Sequence, residues 1–451
     1  MAVHILPLKS WPISGGSVNL FWDKRQGFSA QVDQHGKIHT LSQEWIEGLP
    51  KTTTITPELL EAYFSKTFVT VHPQSPDGCH LRISQKLLGG MFQPNFPDED
   101  LDFVMPRTSV PFNPQPLGQR MEERGDQTFK ILSIDGGGIR GIIPLKILVE
   151  LERLIGPCSE TFDLIGGTST GGIIALGLTT PFKDNSAEDL LDLYLNHSDQ
   201  IFVKNPHRYG HEIAVTGATL GLLPEMGRNR LVSFLVNDPI YLQEGKERIA
   251  AEYLGESQMR EARTNLLVTA ADITTDIPMG MYFTNLNAEH AFFPMRDVAS
   301  ATSSPPTYFP HKILGGRKYI DGGLCYNDPA MQCHHHALQH NIPIASEYML
   351  SLGTGFEDVE GIAGENHNLF WWAKRIFPAV GNAQYEGNKQ ELNNMLGNRY
   401  VRLNHRLEHE IPLDSNSPQI LQQLSDIGDE LVENETDTLR ATARVLRPDL
   451  F

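Results

Sequence analysis

The chain has 451 residues, of which 40% are hydrophobic and 20% charged, and its mean hydropathy of −0.28 excludes a disordered or polytopic membrane protein as a description of the whole. Because single hydrophobic cores stop growing at about 250 to 300 residues, this length predicts more than one domain. The net charge of −18 argues against nucleic-acid binding, which needs a basic surface, and it predicts that any contact with anionic lipid is local and peripheral.

The N-terminal residues, MAVHILPLKSWPISGG, lack the basic start and the continuous apolar stretch of a cleaved signal peptide. The four cysteines are sparse and form no CxxC pair, as is typical of a reducing compartment. We therefore expect a cytoplasmic protein that associates peripherally with membranes. Secretion by a specialised system needs no classical signal peptide, and that route stays open.

Residues 1–93 combine β-rich runs, SVNLFW, FSAQV and TFVTVH, with one helix that begins where Thr56 precedes Pro57 and ELLEAYF. This pattern predicts a small α+β accessory or regulatory module. Residues 94–126 are rich in Pro, Asn and Asp, which is typical of an extended linker. We place the domain boundary in that linker.

From residue 127 to residue 360, short apolar strands alternate with helices. The predicted strands are FKILSI, FDLIGG, NLLVTAAD and YMLSLG, and the predicted helices are IIPLKILVELERLI, GGIIALGL, and those near 187–198, 329–340 and 384–396. Such alternation is typical of a sheet with parallel strands that is covered by helices on both faces. Residues 361–451 are expected to be mainly helical, with a helix from Leu421 to Arg444.

The first motif, DGGGIRG at 135–141, lies between a predicted strand and a helix. A glycine-rich loop at a helix N-terminus presents backbone N–H groups and so favours an anion. The spacing Gly136-x-Gly138-x-x-Gly141 also satisfies the dinucleotide-binding fingerprint. That alternative requires an acidic residue at the end of the second strand, where this chain has Gly166 and Gly167.

The second motif, GTSTG at 167–171, follows the next strand and precedes the next helix. Small residues flank Ser169 as in a nucleophile elbow, a tight turn that exposes the hydroxyl above the sheet. The two motifs fall in one strand-helix-strand-helix unit. Together they predict a serine nucleophile beside an oxyanion-binding loop.

A serine nucleophile needs a base, and the histidines do not occur in a recognisable triad context. His334, His335 and His336 are consecutive on a predicted helix, so they point in different directions and are interpreted as structural. The better candidate is Asp321, which follows the predicted strand RKYI and precedes two glycines. The alternative for Asp321 taken alone is an ordinary turn aspartate.

With these motifs the sequence resembles the patatin-like phospholipase family. The resemblance is carried by DGGGIRG at 135–141, GTSTGG at 167–172 and DGG at 321–323, and extends through DITTDIPMGMYF, ATSSPPTYFP and SLGTG, over residues 128–355. It implies a three-layer α/β/α hydrolase domain. One departure is Ser304-Pro305, where the family commonly has two small apolar residues.

The resemblance also implies residue roles and a substrate. Ser169 is the expected nucleophile, Asp321 its only partner base, and Gly136, Gly137 and Gly138 the oxyanion hole, without metal or cofactor. Arg140 matches the family's loop arginine and would steady the loop or contact a phosphate, or else be a plain surface cation. The expected reaction is hydrolysis of fatty-acyl esters of membrane phospholipids or other acyl-lipids.

Two other classes of function stay open at this point. One is an effector or toxin phospholipase whose N-terminal module binds a protein or small-molecule activator, since a minimal lipase needs neither that module nor so acidic a surface. The other is a binding protein or pseudoenzyme, which an unreactive Ser169 would favour.

Overall fold

The computed structural model describes residues 116–125, 127–205, 239–358, 380–409 and 411–451, and in addition the backbone of seven strands within the first 106 residues and of residues 369–379. The chain divides into two compact units, Met1–Phe112 and Asn113–Phe451. The second unit carries every motif singled out above.

The first unit contains two antiparallel sheets. The first has the order β1 (Ile5–Ile13), β2 (Gly16–Asp23), β3 (Gly27–Gln34) and β4 (Lys37–Ser42), and the second β5 (Val69–Ser75), β6 (Gly78–Ile83) and β7 (Leu101–Pro106). Strands are thus confirmed at SVNLFW, FSAQV and TFVTVH, whereas the helix predicted after Pro57 lies outside the described residues.

Strand β7 lies inside the predicted 94–126 linker and pairs with β6, so this part of the linker prediction was wrong. The alternation of Leu101, Phe103 and Met105 is a strand pattern that the neighbouring Pro and Asp residues obscured. Leu117, near the other end of the predicted linker, is buried in the core of the second unit.

The second unit is built on one mixed sheet. Its strands are β8 (Phe129–Ile134), β9 (Leu164–Gly167), β10 (Asn265–Asp272), β11 (Met279–Thr284), β12 (Lys312–Leu314), β13 (Arg317–Asp321), β14 (Glu347–Leu352) and β15 (Tyr400–Leu403). Their order is β12-β13-β10-β9-β8-β14-β15, with β11 also paired to β10. The strands from β10 to β15 in this order are parallel, and β11, β12 and β13 pair antiparallel.

Helices connect these strands and cover the sheet. In chain order they are α1 (Gln119–Glu123), α2 (Ile142–Ile155), α3 (Cys158–Thr161), α4 (Thr170–Thr179), α5 (Ala187–Asn196), α6 (Ser198–Ile201), α7 (Gln243–Leu254), α8 (Met295–Thr302), α9 (Gly323–Tyr326), α10 (Ala330–Gln339), α11 (Leu369–Leu396), α12 (Pro418–Asn434) and α13 (Thr436–Leu446). The predicted single helix from Leu421 to Arg444 is therefore two helices that meet at Glu435.

Alternate residues of the strands belong to two separate hydrophobic clusters, one on each face of the sheet. Leu132 and Ile165 belong to the cluster that includes residues of α2, α4 and α5, whereas Ile131 and Leu164 belong to the cluster with residues of α10 and α11. The expected three layers, helix on sheet on helix, are thus confirmed. Because both faces are covered, β8, β9 and β14 are buried throughout.

Strand register brings the motif loops together. Gly167, at the end of β9, pairs with Val268, and two residues further along β10 Ala270 pairs with Asp321. Gly167 also pairs with Ile134, the last residue of β8. The segments that follow β8, β9 and β13 therefore meet at one edge of the sheet. None of the helices in the described part of the chain is long and apolar enough to span a bilayer.

Candidate active site

Ser169 occupies a strained turn between β9 and α4. Its φ of 52° and ψ of −117° are rare for a residue with a side chain. The neighbouring backbones are so close that a Cβ on Gly167 would lie 2.1 Å from the Gly171 carbonyl oxygen. The glycines permit this turn, and the strand-turn-helix context expected of a nucleophile elbow is present.

Asp321 lies beside Ser169, although 152 residues separate them in the chain. The Ser169 hydroxyl donates to Asp321 Oδ2 at 2.7 Å, and the Gly323 N–H donates to Oδ1 at 2.8 Å. Burial raises the pKa of Asp321 to about 6, against the opposing effects of the Gly323 and Ser169 hydrogen bonds and the Lys246 charge. At neutral pH Asp321 is therefore an ionised carboxylate aimed at a serine hydroxyl.

The three glycines after β8 differ in what their N–H groups contact. The Gly136 N–H donates to the Asn327 carbonyl at 3.0 Å, whereas those of Gly137 and Gly138 have no acceptor among the described residues. A Cβ on Gly137 would lie 2.2 Å from Thr354 Oγ1. Two N–H groups of this loop are thus available to a bound anion, and that of Gly136 is already engaged.

A buried ion pair lies directly behind this loop. Arg402, on β15, donates to both carboxylate oxygens of Asp135, at 2.8 Å for the first, and its guanidinium is 4.0 Å from Asp328. Burial lowers the pKa of Arg402, but the charges of Asp135 and Asp328 outweigh this and raise it. The ion pair holds Asp135, the residue that directly precedes the glycine loop, in place.

On the other side, residues 300–304, called here the 300–304 turn, contact both halves of the Ser169 and Asp321 pair. Thr302 Oγ1 accepts the Ser169 N–H at 2.9 Å, and the Ser304 carbonyl accepts the Asp321 N–H at 3.0 Å. The Lys246 ammonium donates to three oxygens of this turn. The relative position of Ser169 and Asp321 therefore depends on the 300–304 turn, which contains neither of them.

Ser169 and Asp321 open onto a cavity of about 250 Å³. Gly136, Gly137 and Gly138 also line it, and its walls are mainly apolar, including Ile173, Ile201, Phe202, Phe309 and Ile411. Arg140 lines the cavity as well; its side chain is mostly buried, with the guanidinium 3.9 Å from the Glu357 carboxylate, so Arg140 is not a plain surface cation. An apolar cavity beside a polar pair suits a substrate with a hydrocarbon chain.

No histidine of the described residues lines this cavity. His334 is buried and lies 2.7 Å from Glu347, which fits the structural interpretation. The described ranges also contain no group of three or more His, Cys, Asp or Glu placed to hold a metal ion. Among the described residues, the side chain that accepts a hydrogen bond from the Ser169 hydroxyl is that of Asp321.

Sequence reasoning missed Lys246, Thr302 and Arg402. Arg402 lies beyond the resemblance, which ended at residue 355, and nothing in its local sequence distinguishes it. The only signal for the 300–304 turn was the departure at Ser304-Pro305, because Ser304 is the polar residue that accepts from Lys246.

Comparison with known proteins identifies a family similarity in the part of the chain that contains these residues. The family model described as patatin-like phospholipase matches residues 132–334. Patatin-17 of Solanum cardiophyllum is 33% identical over 224 residues, which are 45% of this chain and 51% of that protein. The chain thus spans about half the length of this relative.

Two further proteins align with this chain over longer stretches. The cGAMP-activated phospholipase of Vibrio cholerae is 28% identical over 350 residues, which are 70% of this chain and 93% of that protein. The crystal structure of VipD from Legionella pneumophila aligns with a TM-score of 0.29 and 12% identity, over 68% of this chain and 67% of that one. Residues 132–334, which contain the Ser169 and glycine-loop motifs and Asp321, thus match the patatin-like phospholipase family model.

Proposed function

We propose that the protein is a serine acyl hydrolase in which Ser169 is the nucleophile and Asp321 its base. The hydrogen bond of 2.7 Å from the Ser169 hydroxyl to Asp321 Oδ2 carries this proposal. The strained turn at Ser169, the free N–H groups of Gly137 and Gly138 and the apolar cavity support it.

The proposed reaction has two halves. Asp321 takes the hydroxyl proton as Ser169 Oγ attacks the ester carbonyl carbon, and the alcohol leaves with that proton to give an acyl-enzyme. Water, deprotonated by Asp321, then attacks the acyl carbon and releases the fatty acid and Ser169. In both halves the oxyanion accepts hydrogen bonds from the backbone N–H groups of Gly137 and Gly138.

A carboxylate with a pKa of about 6 is a weak base for a serine hydroxyl. Most of the barrier reduction must therefore come from stabilising the oxyanion in a cavity that excludes water. Losing one oxyanion donor typically costs roughly 10² to 10³ in rate. This makes the fixed shape of the glycine loop as important as the base.

The family implies a phospholipid substrate, and the cavity supports a fatty-acyl chain as the group recognised. In this proposal the hydrocarbon lies against Ile173, Phe202 and Phe309, which are apolar residues of the cavity lining, and the ester lies at Ser169. We further propose that the protein meets its substrate as a peripheral membrane protein, since its acyl-lipid substrates reside in bilayers.

The test is labelling with a fluorophosphonate probe, run in parallel with fatty-acid release from mixed phospholipid vesicles without calcium. Wild type should show both, and Ser169→Ala neither. Ser257→Ala is the matched control, because Ser257 is as buried as Ser169, each 8% exposed, but does not line the cavity. Wild-type turnover by the Ser169→Ala variant would exclude Ser169 as the nucleophile.

A second candidate is an activator-dependent phospholipase, and one observation favours it. Similarity to the Vibrio cholerae protein named for activation by cGAMP covers 93% of that protein and so extends beyond the family-model segment. Fatty-acid release that appears only on addition of cGAMP or of a cell extract would support this candidate, with the N-terminal unit as a site for the activator. Equal release with and without these additions would exclude it.

A further inference from the structure

The ammonium group of Lys246 is buried at the cavity wall, and the mechanism above gives it no role. Lys246 lies on α7 and is 4% exposed, and its Nζ is 4.4 Å from the centroid of the Phe309 ring. A buried ammonium is costly unless it is hydrogen-bonded and close to a negative charge.

Lys246 donates hydrogen bonds to the 300–304 turn, which lies at the C-terminal end of α8. Its Nζ donates to the Ser303 carbonyl at 2.6 Å, to the Ser300 carbonyl at 3.2 Å and to the Ser304 hydroxyl at 2.9 Å. The last carbonyls of a helix have no partner within the helix, and a cation there also interacts favourably with the helix dipole. Lys246 thus holds the turn through two main-chain carbonyls, those of Ser300 and Ser303, and through the Ser304 hydroxyl.

The same turn sets the distance between the two candidate catalytic residues. Thr302 accepts the Ser169 N–H through Oγ1, and its carbonyl accepts the Gly322 N–H at 3.3 Å. The Ser304 carbonyl accepts the Asp321 N–H. A shift of the turn would therefore move Ser169 and the Asp321-Gly322 backbone relative to each other.

The positive charge of Lys246 also acts on Asp321. Burial lowers the pKa of Lys246 to about 7, an effect that the charges of Asp321 and Glu247 oppose and that of Lys312 reinforces. Lys246 in turn lowers the pKa of Asp321, as do the hydrogen bonds from Gly323 and Ser169, against the larger effect of burial. Near pH 6, where Asp321 ionises, Lys246 is mostly protonated and favours the carboxylate.

We infer that Lys246 is a positioning residue for the proposed acyl transfer, one that holds the 300–304 turn against Ser169 and Asp321 and keeps a positive charge beside the base. This inference rests on the proposed function of that pair. It also accounts for Ser304, where the family commonly has a small apolar residue, because the Ser304 hydroxyl accepts from Lys246 and donates to the Ser300 carbonyl.

The test compares the rate of fluorophosphonate labelling against pH in wild type, Lys246→Met, Lys246→Arg and Lys312→Met. Labelling should fall below about pH 6 in wild type, because Asp321 must be ionised. Lys246→Met should move this acidic limb upward by about half a pH unit or more, since a favourable charge is lost. Lys246→Arg keeps the charge and should keep the limb near its wild-type position.

Lys312→Met is the matched control. Lys312 is a partly buried lysine near Lys246 that pairs with Glu247 and Asp297 and, among the described residues, donates no hydrogen bond to the 300–304 turn. Its loss removes a charge of the same sign but should not raise the limb. In phospholipid hydrolysis, Lys246→Met should lower kcat and leave KM nearly unchanged, because Lys246 positions the base and not the lipid.

An acidic limb in Lys246→Met that coincides with the wild-type limb would overturn this inference and leave the proposed function intact. Absence of labelling in wild type at every pH would overturn both. If Lys246→Met does not fold, Ser304→Ala takes its place. It removes the hydrogen bond from Lys246 and the one to the Ser300 carbonyl, and a fall in kcat of about 2-fold or more is expected. An unchanged kcat in Ser304→Ala would then overturn the inference.

Discussion

The sequence Asp-Gly-Gly occurs at two strand ends of the same sheet, after β8 at 135–137 and at the end of β13 at 321–323. Both aspartates are buried, 4% and 6% exposed, and burial raises the pKa of each. They differ in their partners. Both oxygens of Asp135 accept from Arg402, whereas those of Asp321 accept from the Gly323 N–H and the Ser169 hydroxyl.

The partner, and not the motif, decides what a buried carboxylate can do. Both oxygens of Asp135 are engaged by the guanidinium of Arg402, which does not give up a proton, so Asp135 serves as an anchor for the loop. Asp321 is held by a backbone N–H and a hydroxyl, so it retains an oxygen at which a proton can be gained and lost. The same tripeptide thus serves as an anchor for a loop at one strand end and as a candidate base at the other.

Substitutions at Asp321 and Asp135 should differ most in their effect on activity. Asp321→Asn should lower kcat by about 10⁴-fold, since an amide cannot accept the Ser169 proton. The measurement is fatty-acid release at pH 8, with near-wild-type circular dichroism as the check on folding. Retention of even a tenth of the wild-type rate would mean that another group is the base.

The second effect is on the stability of the fold and concerns Asp135. Asp135→Asn should lower the free energy of unfolding by about 3 kcal/mol at pH 8, because it leaves the buried Arg402 with only Asp328, at 4.0 Å, as a charged partner. Urea denaturation measures this.

Asp163→Asn is the control for that measurement. Asp163 is equally buried and accepts two hydrogen bonds from Arg124, at 2.8 and 2.9 Å, but the Arg124 side chain is 28% exposed and can be solvated when its partner is lost. If Asp135→Asn lowers the free energy of unfolding no more than Asp163→Asn does, then Arg402 does not depend on Asp135 as its charged partner.

Much of the main sheet could be predicted from the sequence, for a physical reason. Strands buried on both faces read as short apolar runs, and FKILSI and NLLVTAAD correspond to β8 and β10 residue for residue. The main misses were at places where composition conceals periodicity, such as β7 in a segment rich in Pro and Asp, or where one polar stretch covers two helices, at Glu435.

For the site, motifs predicted the residues that bear chemistry but not those that hold them. Ser169 and Asp321 stand in recognisable local patterns and are brought together as expected. Arg402 and Lys246 act through contacts that span 267 residues to Asp135 and 54 to 58 residues to the 300–304 turn. Such contacts are created only by folding, so a single sequence without pairing information does not reveal them.

A smaller change, a gain of stability, is expected when Asp321 itself is replaced by asparagine. Asp321→Asn should raise the free energy of unfolding by about 1 to 2 kcal/mol at pH 7, because it removes the cost of an ionised carboxylate in a buried site. Asparagine can still accept from the Gly323 N–H, and Lys246 keeps its three oxygens on the 300–304 turn, so neither group loses its partners.

The pH dependence of that gain tests its cause. The folded pKa of Asp321 is about 6 and its ordinary value 3.8, so the folded wild type binds more protons than the unfolded chain between these values and loses stability as pH rises through them. The advantage of Asn should therefore be complete above about pH 6 and disappear toward pH 4, in thermal unfolding followed at several pH values. An equal or lower stability of Asp321→Asn at pH 7 would mean that the carboxylate is well solvated or well paired in the folded protein, and the expected cost of burying it would then be wrong.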